Sequence, residues 1–132
     1  MILVDTSVWI DWLNGRAHQA TDRLDQLLDE PIQLVLCDRV VQEIVQGIRD
    51  DRDAREVEKK LGVFDCLDTG GRELALASAA RYRQLRKQGV TIRSSNDVLI
   101  AELCIQHGIA VLHNDRDFDV IAKHIKLKLV KW

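Results

Sequence analysis

Four acidic side chains fall where helices or strands are predicted to begin or end, and Asp5 is the first of them. It directly follows the apolar residues 2–4, a run that is typical of a buried parallel strand. Ligands of open α/β sheets bind in the crevice outside the carboxyl ends of the strands. A carboxylate at this position is therefore better placed for chemistry than for packing.

Glu43, Asp97 and Asp115 occupy comparable positions later in the chain. Glu43 lies at the edge of the apolar face of a predicted helix, and Asp97 lies in the first turn of another. Asp115 follows the predicted strand 109–112 after only two residues. Taken singly, each acid also has an ordinary structural explanation: a boundary glutamate, a capping acid, and one acid of an acidic helix N-terminus.

Taken together, the four acids predict a metal site. Carboxylates that converge at one sheet edge repel one another unless a cation neutralises them. Oxygen ligands without a cluster of His or Cys suit Mg²⁺ or Mn²⁺ rather than zinc. An Mg²⁺ held by acids acts on phosphoesters, because it activates a water and neutralises phosphate oxygens. We therefore expect metal-dependent phosphoryl chemistry at these four of the chain's 21 acids.

Apolar patterns of strand and helix type alternate along the chain. This order predicts a mainly parallel central sheet covered by helices on both faces, a three-layer α/β/α fold. Ser7, Asp38 and Ser95 are predicted to cap helices, and Gly108 is predicted to end one. The predicted strands are 2–4, 33–37, 63–67, 109–112 and 128–131; further predicted helices occupy 21–30, 50–60, 72–88 and 117–123.

The composition indicates one globular domain over residues 1–132, with 46% hydrophobic and 30% charged residues. No apolar run approaches the roughly 18 residues of a membrane span, and the first residues lack a signal-peptide pattern, so we expect a cytoplasmic protein. The three cysteines are few and widely spaced, which favours reduced core residues over a disulfide or zinc framework. A net charge of −2 does not indicate a nucleic-acid binder, although net charge hides local patches.

The segments 2–10, 95–101 and 112–118, together with Glu43 in an apolar helix, resemble a PIN domain in their order and spacing. Over its whole length the chain resembles the VapC-type toxins of toxin–antitoxin pairs. The resemblance implies a PIN fold and a Mg²⁺-dependent ribonuclease, with Mn²⁺ as a second possible ion. It also implies inhibition by a VapB-type antitoxin and pairing as a homodimer.

The resemblance also assigns roles to the four acids. Asp5, Glu43, Asp97 and Asp115 match the family's first, second, third and fourth acids in turn. By this match, Asp5, Asp97 and Asp115 hold the metal, while Glu43 orients or deprotonates the attacking water. The cut then leaves a 5′-phosphate and a 3′-hydroxyl.

Four neighbouring residues complete this comparison. Thr6 matches the hydroxyl residue beside the first acid, and either Asp117 or Asp119 supplies a further acid. His113 stands where many PIN domains have Thr or Ser, two residues before the fourth acid. It either contacts RNA or caps the strand.

Two basic groups are candidates for RNA contact, because Lys and Arg neutralise phosphates. A plain solvated face is the alternative for both. The first group surrounds Tyr82 and comprises Arg81, Arg83, Arg86, Lys87 and Arg93. The second comprises Lys123, His124, Lys126, Lys128 and Lys131.

Trp9 and Trp12 lie three residues apart on the first predicted helix, so both cannot point fully into the core. Large aromatic side chains at a surface suit a binding groove. VapC-like proteins bind the antitoxin near the first helices, which makes these two residues candidate antitoxin contacts.

Two other functions remain open at this level. A haloacid-dehalogenase-like phosphohydrolase also has an Asp at the end of its first strand, but it needs a second acid where this chain has Ser7. A receiver-like, non-catalytic binding module needs an acid at the end of a central strand, and Asp38, Asp65 and Asp68 are imperfect candidates. The three functions differ in their products: nucleotides from RNA, phosphate from small esters, or none.

Overall fold

The computed structural model describes residues 1–131, and its centre is a four-stranded parallel sheet. The strands are β1 (Ile2–Val4), β2 (Leu34–Cys37), β3 (Asp65–Leu67) and β4 (Ala110–Leu112), in the order β3-β2-β1-β4. Leu3 pairs with Val35 on one side and with Val111 on the other. All four strands are parallel, which confirms the predicted sheet.

Seven α-helices and one short 3-10 helix connect these strands in the described part of the chain. Helix α1 contacts α2 and α3, and α3 contacts α4. Helix α6 contacts α5 and α7 in a second group, consistent with the predicted three layers. The helices are α1 (Thr6–Leu13), α2 (Gln19–Asp29), α3 (Asp38–Gln46), α4 (Asp51–Leu61), α5 (Arg72–Lys87), α6 (Ser95–His107) and α7 (Arg116–His124), with the 3-10 helix at Pro31–Gln33.

The strand order creates a crevice between β1 and β4. From β1 the chain adds β2 and β3 on one side, then crosses to place β4 on the other side of β1. Such a switch in direction leaves a gap between the helices at the carboxyl ends of the two strands, where ligands of α/β proteins bind. Asp5 and Asp115 follow these two strand ends.

The sheet is buried on both faces, which explains why its strands are short and continuously apolar. Leu3, Val4, Val35 and Val111 are completely buried in the core. Phe118 of α7 is also fully buried and packs into this core. The strand ends are therefore held rigidly, and so are the residues that follow them.

Three predicted caps are wrong by one or two residues. Asp5, not Ser7, caps α1, and α3 and α6 begin at Asp38 and Ser95 themselves. The cause is the same in each case: the helix begins one or two residues earlier than its first apolar residues indicate. Gly108 ends α6 as predicted, in the left-handed conformation with φ 65°.

The predicted strand 128–131 does not form. Leu129 makes a single bridge with Val111, supported by hydrogen bonds from Val111 N–H to Lys128 O and from Val130 N–H to Val111 O, both 2.9 Å. Only this one pairing meets β4 before the described chain ends, so the alternating pattern lies at the sheet edge without extending the sheet. Among residues 1–131, no helix has the length and apolar character needed to cross a membrane.

Candidate active site

The first acid is fixed by the end of β1 and the start of α1. Asp5 is only 5% exposed, and its backbone N–H donates to Leu112 O at 2.9 Å, which joins it to β4. Its carboxylate accepts hydrogen bonds from Ser7 N–H at 3.2 Å and from the Ser7 hydroxyl at 2.8 Å. Asp5 thus caps the helix while facing the crevice between the two strands.

Three further acids surround one point in this crevice. Carboxylate oxygens of Asp97, Asp115 and Asp117 all lie within 4.8 Å of one another. Asp115 caps α7 and accepts from Asp117 N–H at 2.9 Å. Asp97 Oδ2 is buried and has no hydrogen-bond partner within the described chain. An unpaired buried acceptor is costly, and oxygen ligands in this arrangement fit a hard divalent cation.

The electrostatic consequence is clearest at Asp97. Burial raises the pKa of its carboxyl to about 8, and the charges of Asp5, Asp115, Asp117 and Glu43 act in the same direction. Burial also raises the pKa of Asp5, against the lowering effect of the Ser7 hydrogen bonds. The acids predicted from the sequence therefore interact electrostatically. The group that could hold a metal comprises Asp97, Asp115 and Asp117, so Asp117 joins two of the three predicted ligands and Asp5 lies outside that group.

Glu43 borders this cluster from α3. Burial raises the pKa of its carboxyl, and the charge of Asp5 adds to that effect. The nearby side chains of Thr6, Arg39 and Asn96 act in the opposite direction and lower it. Thr6, which the resemblance matches to the hydroxyl residue beside the first acid, is buried directly after Asp5.

The two acids left open by the sequence have different positions. Asp117 is 9% exposed and belongs to the cluster. The Asp119 side chain is 56% exposed and lies 3.2 Å from His113 Nε2 instead. Successive side chains of a helix point about 100° apart, so two residues two positions apart on α7 face different directions. The structure therefore groups Asp117 with the third and fourth acids.

His113 is a structural residue at the end of β4. It is 1% exposed, and its Nδ1 accepts the backbone N–H of Asp115 at 3.1 Å. Its ring packs against Phe118 with centroids 5.3 Å apart. Of its two predicted roles, contact with RNA is excluded by burial, and capping the strand fits the contacts.

Sequence reasoning missed the role of Ser7. Its hydroxyl donates to Asp5 and accepts from the backbone N–H of Asn114 at 3.0 Å, so it links the loops after β1 and β4. The Asn114 side chain then donates to Asp11 at 3.0 Å, and Asp11 is 2.8 Å from His18 Nε2. The signal in the sequence is a hydroxyl residue two positions after a strand-ending acid, which the prediction read as a helix cap.

The first basic group is divided by the structure. Arg81 Nε lies 2.7 Å from Glu102 Oε2, a carboxylate that is almost fully buried, so Arg81 joins α5 to α6 and is not a free RNA contact. Arg93 is 75% exposed and its Nε lies 3.8 Å from Asp117 Oδ2, at the rim of the acid cluster. Arg83, Arg86 and Lys87 are exposed, as are the five members of the second group, Lys123, His124, Lys126, Lys128 and Lys131.

The two tryptophans also separate. Trp9 is 3% exposed and packs edge-on against Trp12, with ring centroids 6.1 Å apart. Trp12 is half-buried, and its Nε1 donates to Asp25 Oδ1 at 2.7 Å. Trp9 is therefore a core residue and not a surface contact, because it fills the space between α1 and Phe64. Only Trp12 offers surface to a partner.

A family model for the PIN domain matches residues 2–124, and the chain belongs to the PIN domain family. Ribonuclease VapC11 of Mycobacterium tuberculosis is 36% identical over 133 aligned residues, covering 100% of this chain and 99% of that relative. A VapC ribonuclease of Mycobacterium bovis has the same identity and coverage. Within the PIN family, the chain therefore belongs with the VapC proteins.

Two solved structures of low sequence identity share the fold. FitAcB from Neisseria gonorrhoeae has a TM-score of 0.77 and 21% identity, covering 99% of this chain and 97% of that one. VapBC2 from Rickettsia felis, bound to a DNA fragment from its promoter, has a TM-score of 0.76 and 17% identity, covering 100% and 99%. Membership of the PIN family replaces the dehalogenase-like and receiver-like alternatives.

The pKa of Asp97 predicts a pH-dependent stability for the metal-free protein. The carboxyl titrates near 3.8 when unfolded and at about 8 when folded, so the folded state binds the proton more tightly. This stabilisation is fully present below the unfolded value and is lost as the pH rises through the folded one. In urea unfolding with EDTA, we expect the wild type to lose stability relative to Asp97→Asn between those two pH values. A difference between the two proteins that does not change with pH would contradict this.

Asp117 and Asp119 form a matched pair for testing the metal site. Asp117→Asn removes a charge from the cluster and should weaken Mn²⁺ or Mg²⁺ binding about tenfold or more, measured by calorimetry. Asp119→Asn removes the same charge two residues away, outside the cluster, and should bind the ion as the wild type does. Equal affinities for the two variants would show that Asp117 is not a ligand.

Proposed function

We propose that this chain is the Mg²⁺-dependent ribonuclease toxin of a type II toxin–antitoxin pair, acting in the cytoplasm. The supporting observation is the cluster of Asp97, Asp115 and Asp117, with a buried unpaired oxygen on Asp97, in a chain of the VapC group. Mn²⁺ would fit the same oxygen ligands. The substrate is RNA, in keeping with the ribonuclease relatives.

The acids have separate tasks in this proposal. Asp97, Asp115 and Asp117 would hold the cation, with Asp5 beside them contributing charge. When bound, such an ion lowers the pKa of water and neutralises phosphate oxygens. Ser7 keeps the Asp5 carboxylate in one orientation, and His113 fixes the backbone from which Asp115 projects.

Glu43 is the proposed general base. It is half-buried beside Asp5, and its raised pKa brings it nearer to neutral pH, where a base is most effective. It would take a proton from the water that attacks phosphorus in line. The new bond joins that water oxygen to phosphorus, while the bond from phosphorus to the 3′ oxygen breaks and this oxygen takes up a proton. The products are a 5′-phosphate and a 3′-hydroxyl.

Positive charge near the cluster would bind the phosphates that flank the cut. Arg93 lies at the rim of the acids, and Arg83, Arg86 and Lys87 are exposed on α5 or at its end. Exposed Arg and Lys residues give affinity that falls with salt and does not depend on sequence. The overall charge of −2 then poses no obstacle, because the local field and not the net charge attracts RNA.

Two substitutions at the cluster test the nuclease. Asp97→Asn should abolish detectable RNA cleavage, because it removes a ligand charge at nearly constant shape. Glu43→Gln should slow cleavage by about 10²–10⁴-fold, the range for loss of one general base. Asp65→Asn, which neutralises an exposed acid on β3, serves as the control and should cleave at the wild-type rate. A folded Asp97→Asn protein with wild-type activity would refute the metal site.

The proposed partner is a VapB-type antitoxin, and the surface near Trp12 would receive it. A cavity of about 210 Å³ lies beside this side chain, lined also by Arg16, Thr21 and Asp25. An apolar antitoxin side chain would fill the cavity, and an arginine would reach the acids, because guanidinium pairs with carboxylates through two hydrogen bonds. Pairing of two toxin copies is proposed as well, from the VapC resemblance.

Trp12→Ala should weaken the antitoxin complex yet spare the nuclease. The expected loss is about 2 kcal/mol, roughly 30-fold in Kd, as for other central aromatic contacts. The measurement is binding of the product of the adjacent small gene, with cleavage assayed in parallel. Ile32→Ala is the control, since Ile32 is 87% exposed and does not line the cavity. Unchanged affinity for folded Trp12→Ala would place the antitoxin elsewhere.

A further inference from the structure

A second cavity, of about 350 Å³, opens between α3, α5 and α6. Small and apolar side chains form part of its wall, and polar groups form the rest. Its lining includes Arg39 from α3, Ser78, Ala79 and Tyr82 from α5, and Asn96 and Leu99 from α6. This α3–α5–α6 pocket contains none of the acids discussed above, and the proposed reaction does not use it.

The α3–α5–α6 pocket adjoins the proposed general base. Arg39 precedes Glu43 by one helical turn on α3 and acts on its carboxylate by charge. Asn96 acts on the same carboxylate by hydrogen bonding, and it directly precedes Asp97. Arg39 and Asn96 thus both line the pocket and act on the proposed general base. The pocket therefore lies beside Glu43 and Asp97, which the proposed reaction uses.

The chemistry of the walls suits one unpaired nucleobase. Ala79 and Leu99 offer an apolar surface for the face of a base, and Tyr82 adds an aromatic ring. The Tyr82 hydroxyl donates to Ile92 O at 3.2 Å, which fixes the position of that ring. The Asn96 amide and the Ser78 hydroxyl can exchange hydrogen bonds with a base edge. Proteins read single-stranded RNA by this combination of stacking and edge contacts.

The charges favour the same occupant. A base is neutral, and the nucleotide that carries it has a phosphate. Arg39, which lines the pocket and acts on Glu43 by charge, supplies a cation for that phosphate. We infer that the α3–α5–α6 pocket is the subsite for the base next to the scissile phosphate, and that it selects the RNA sequence to be cut. This inference rests on the proposed ribonuclease function.

Ala79 and Ala80 provide a matched test. Both are exposed on α5, but only Ala79 lines the pocket. Ala79→Phe fills the space for a base and should lower kcat/KM on single-stranded RNA about tenfold or more, as expected for loss of one stacked base. Ala80→Phe adds the same ring to the next position and should leave kcat/KM unchanged. Thermal unfolding verifies that both variants fold.

A substrate series makes the test specific to the base. One oligonucleotide carries the preferred cut site, and two others lack the base on either side of the scissile phosphate. The wild type should cleave one of the abasic substrates about tenfold more slowly than the intact one. Ala79→Phe should cleave that pair at equal rates, because its pocket no longer accepts a base. A wild type that cleaves all three substrates equally would overturn the subsite while leaving the ribonuclease function standing.

Two further outcomes separate the alternatives. If Ala79→Phe and Ala80→Phe lose activity equally and light scattering shows a smaller assembly, then α5 contacts a second copy of this chain and the inference is wrong. Binding of the same oligonucleotides in EDTA, measured by fluorescence anisotropy, tests the subsite without turnover. A wild type that cleaves no RNA, yet binds the intact oligonucleotide more tightly than the abasic one and loses this preference in Ala79→Phe, would refute the nuclease but support the pocket.

Discussion

Repulsion among partly buried carboxylates is the constraint to which the rest of this structure responds. Asp97 is taken out of water while four other acids act on it, and one of its oxygens has no partner in the described chain. Local hydrogen bonds do not offset that cost, so the core must. Leu3, Val35 and Val111 are fully buried at the centre of the sheet, and each such side chain contributes about 1.5–3 kcal/mol. A cation that binds only the folded state would add its own stabilisation.

The sheet order explains why this strained arrangement is compatible with a small fold. Placing β4 on the far side of β1 opens the crevice that receives the acids. The hydroxyl of Ser7 links the residues that follow β1 and β4. Buried His113 fixes the backbone after β4 by accepting the N–H of Asp115. Its Nδ1 makes this contact at the position where the resemblance predicts a hydroxyl residue.

Local sequence was sufficient to predict elements whose pattern of apolar residues fits only one kind of secondary structure. The buried strands, the parallel sheet and the convergence of Asp5 and Asp115 all follow from apolar runs that end in acids. It was insufficient where the surroundings of a side chain depend on residues that are distant in sequence. The choice between Asp117 and Asp119 depends on the rotation of α7 against β4, and the burial of Trp9 depends on Phe64. Arg81 was assigned to a surface because nothing near it in sequence reveals Glu102, which is 21 residues away.

The capping acids give the fold an unusual tolerance. Asp5 and Asp115 each begin a helix, and asparagine caps a helix about as well as aspartate, whereas alanine there costs roughly 0.5–2 kcal/mol. A single-base change from an aspartate codon to an asparagine codon therefore removes chemistry without removing architecture. Under the proposed function, such a variant loses its nuclease activity and still folds into a protein that binds the antitoxin. Inactivated copies of this kind are then expected to survive as decoys and not to disappear through misfolding.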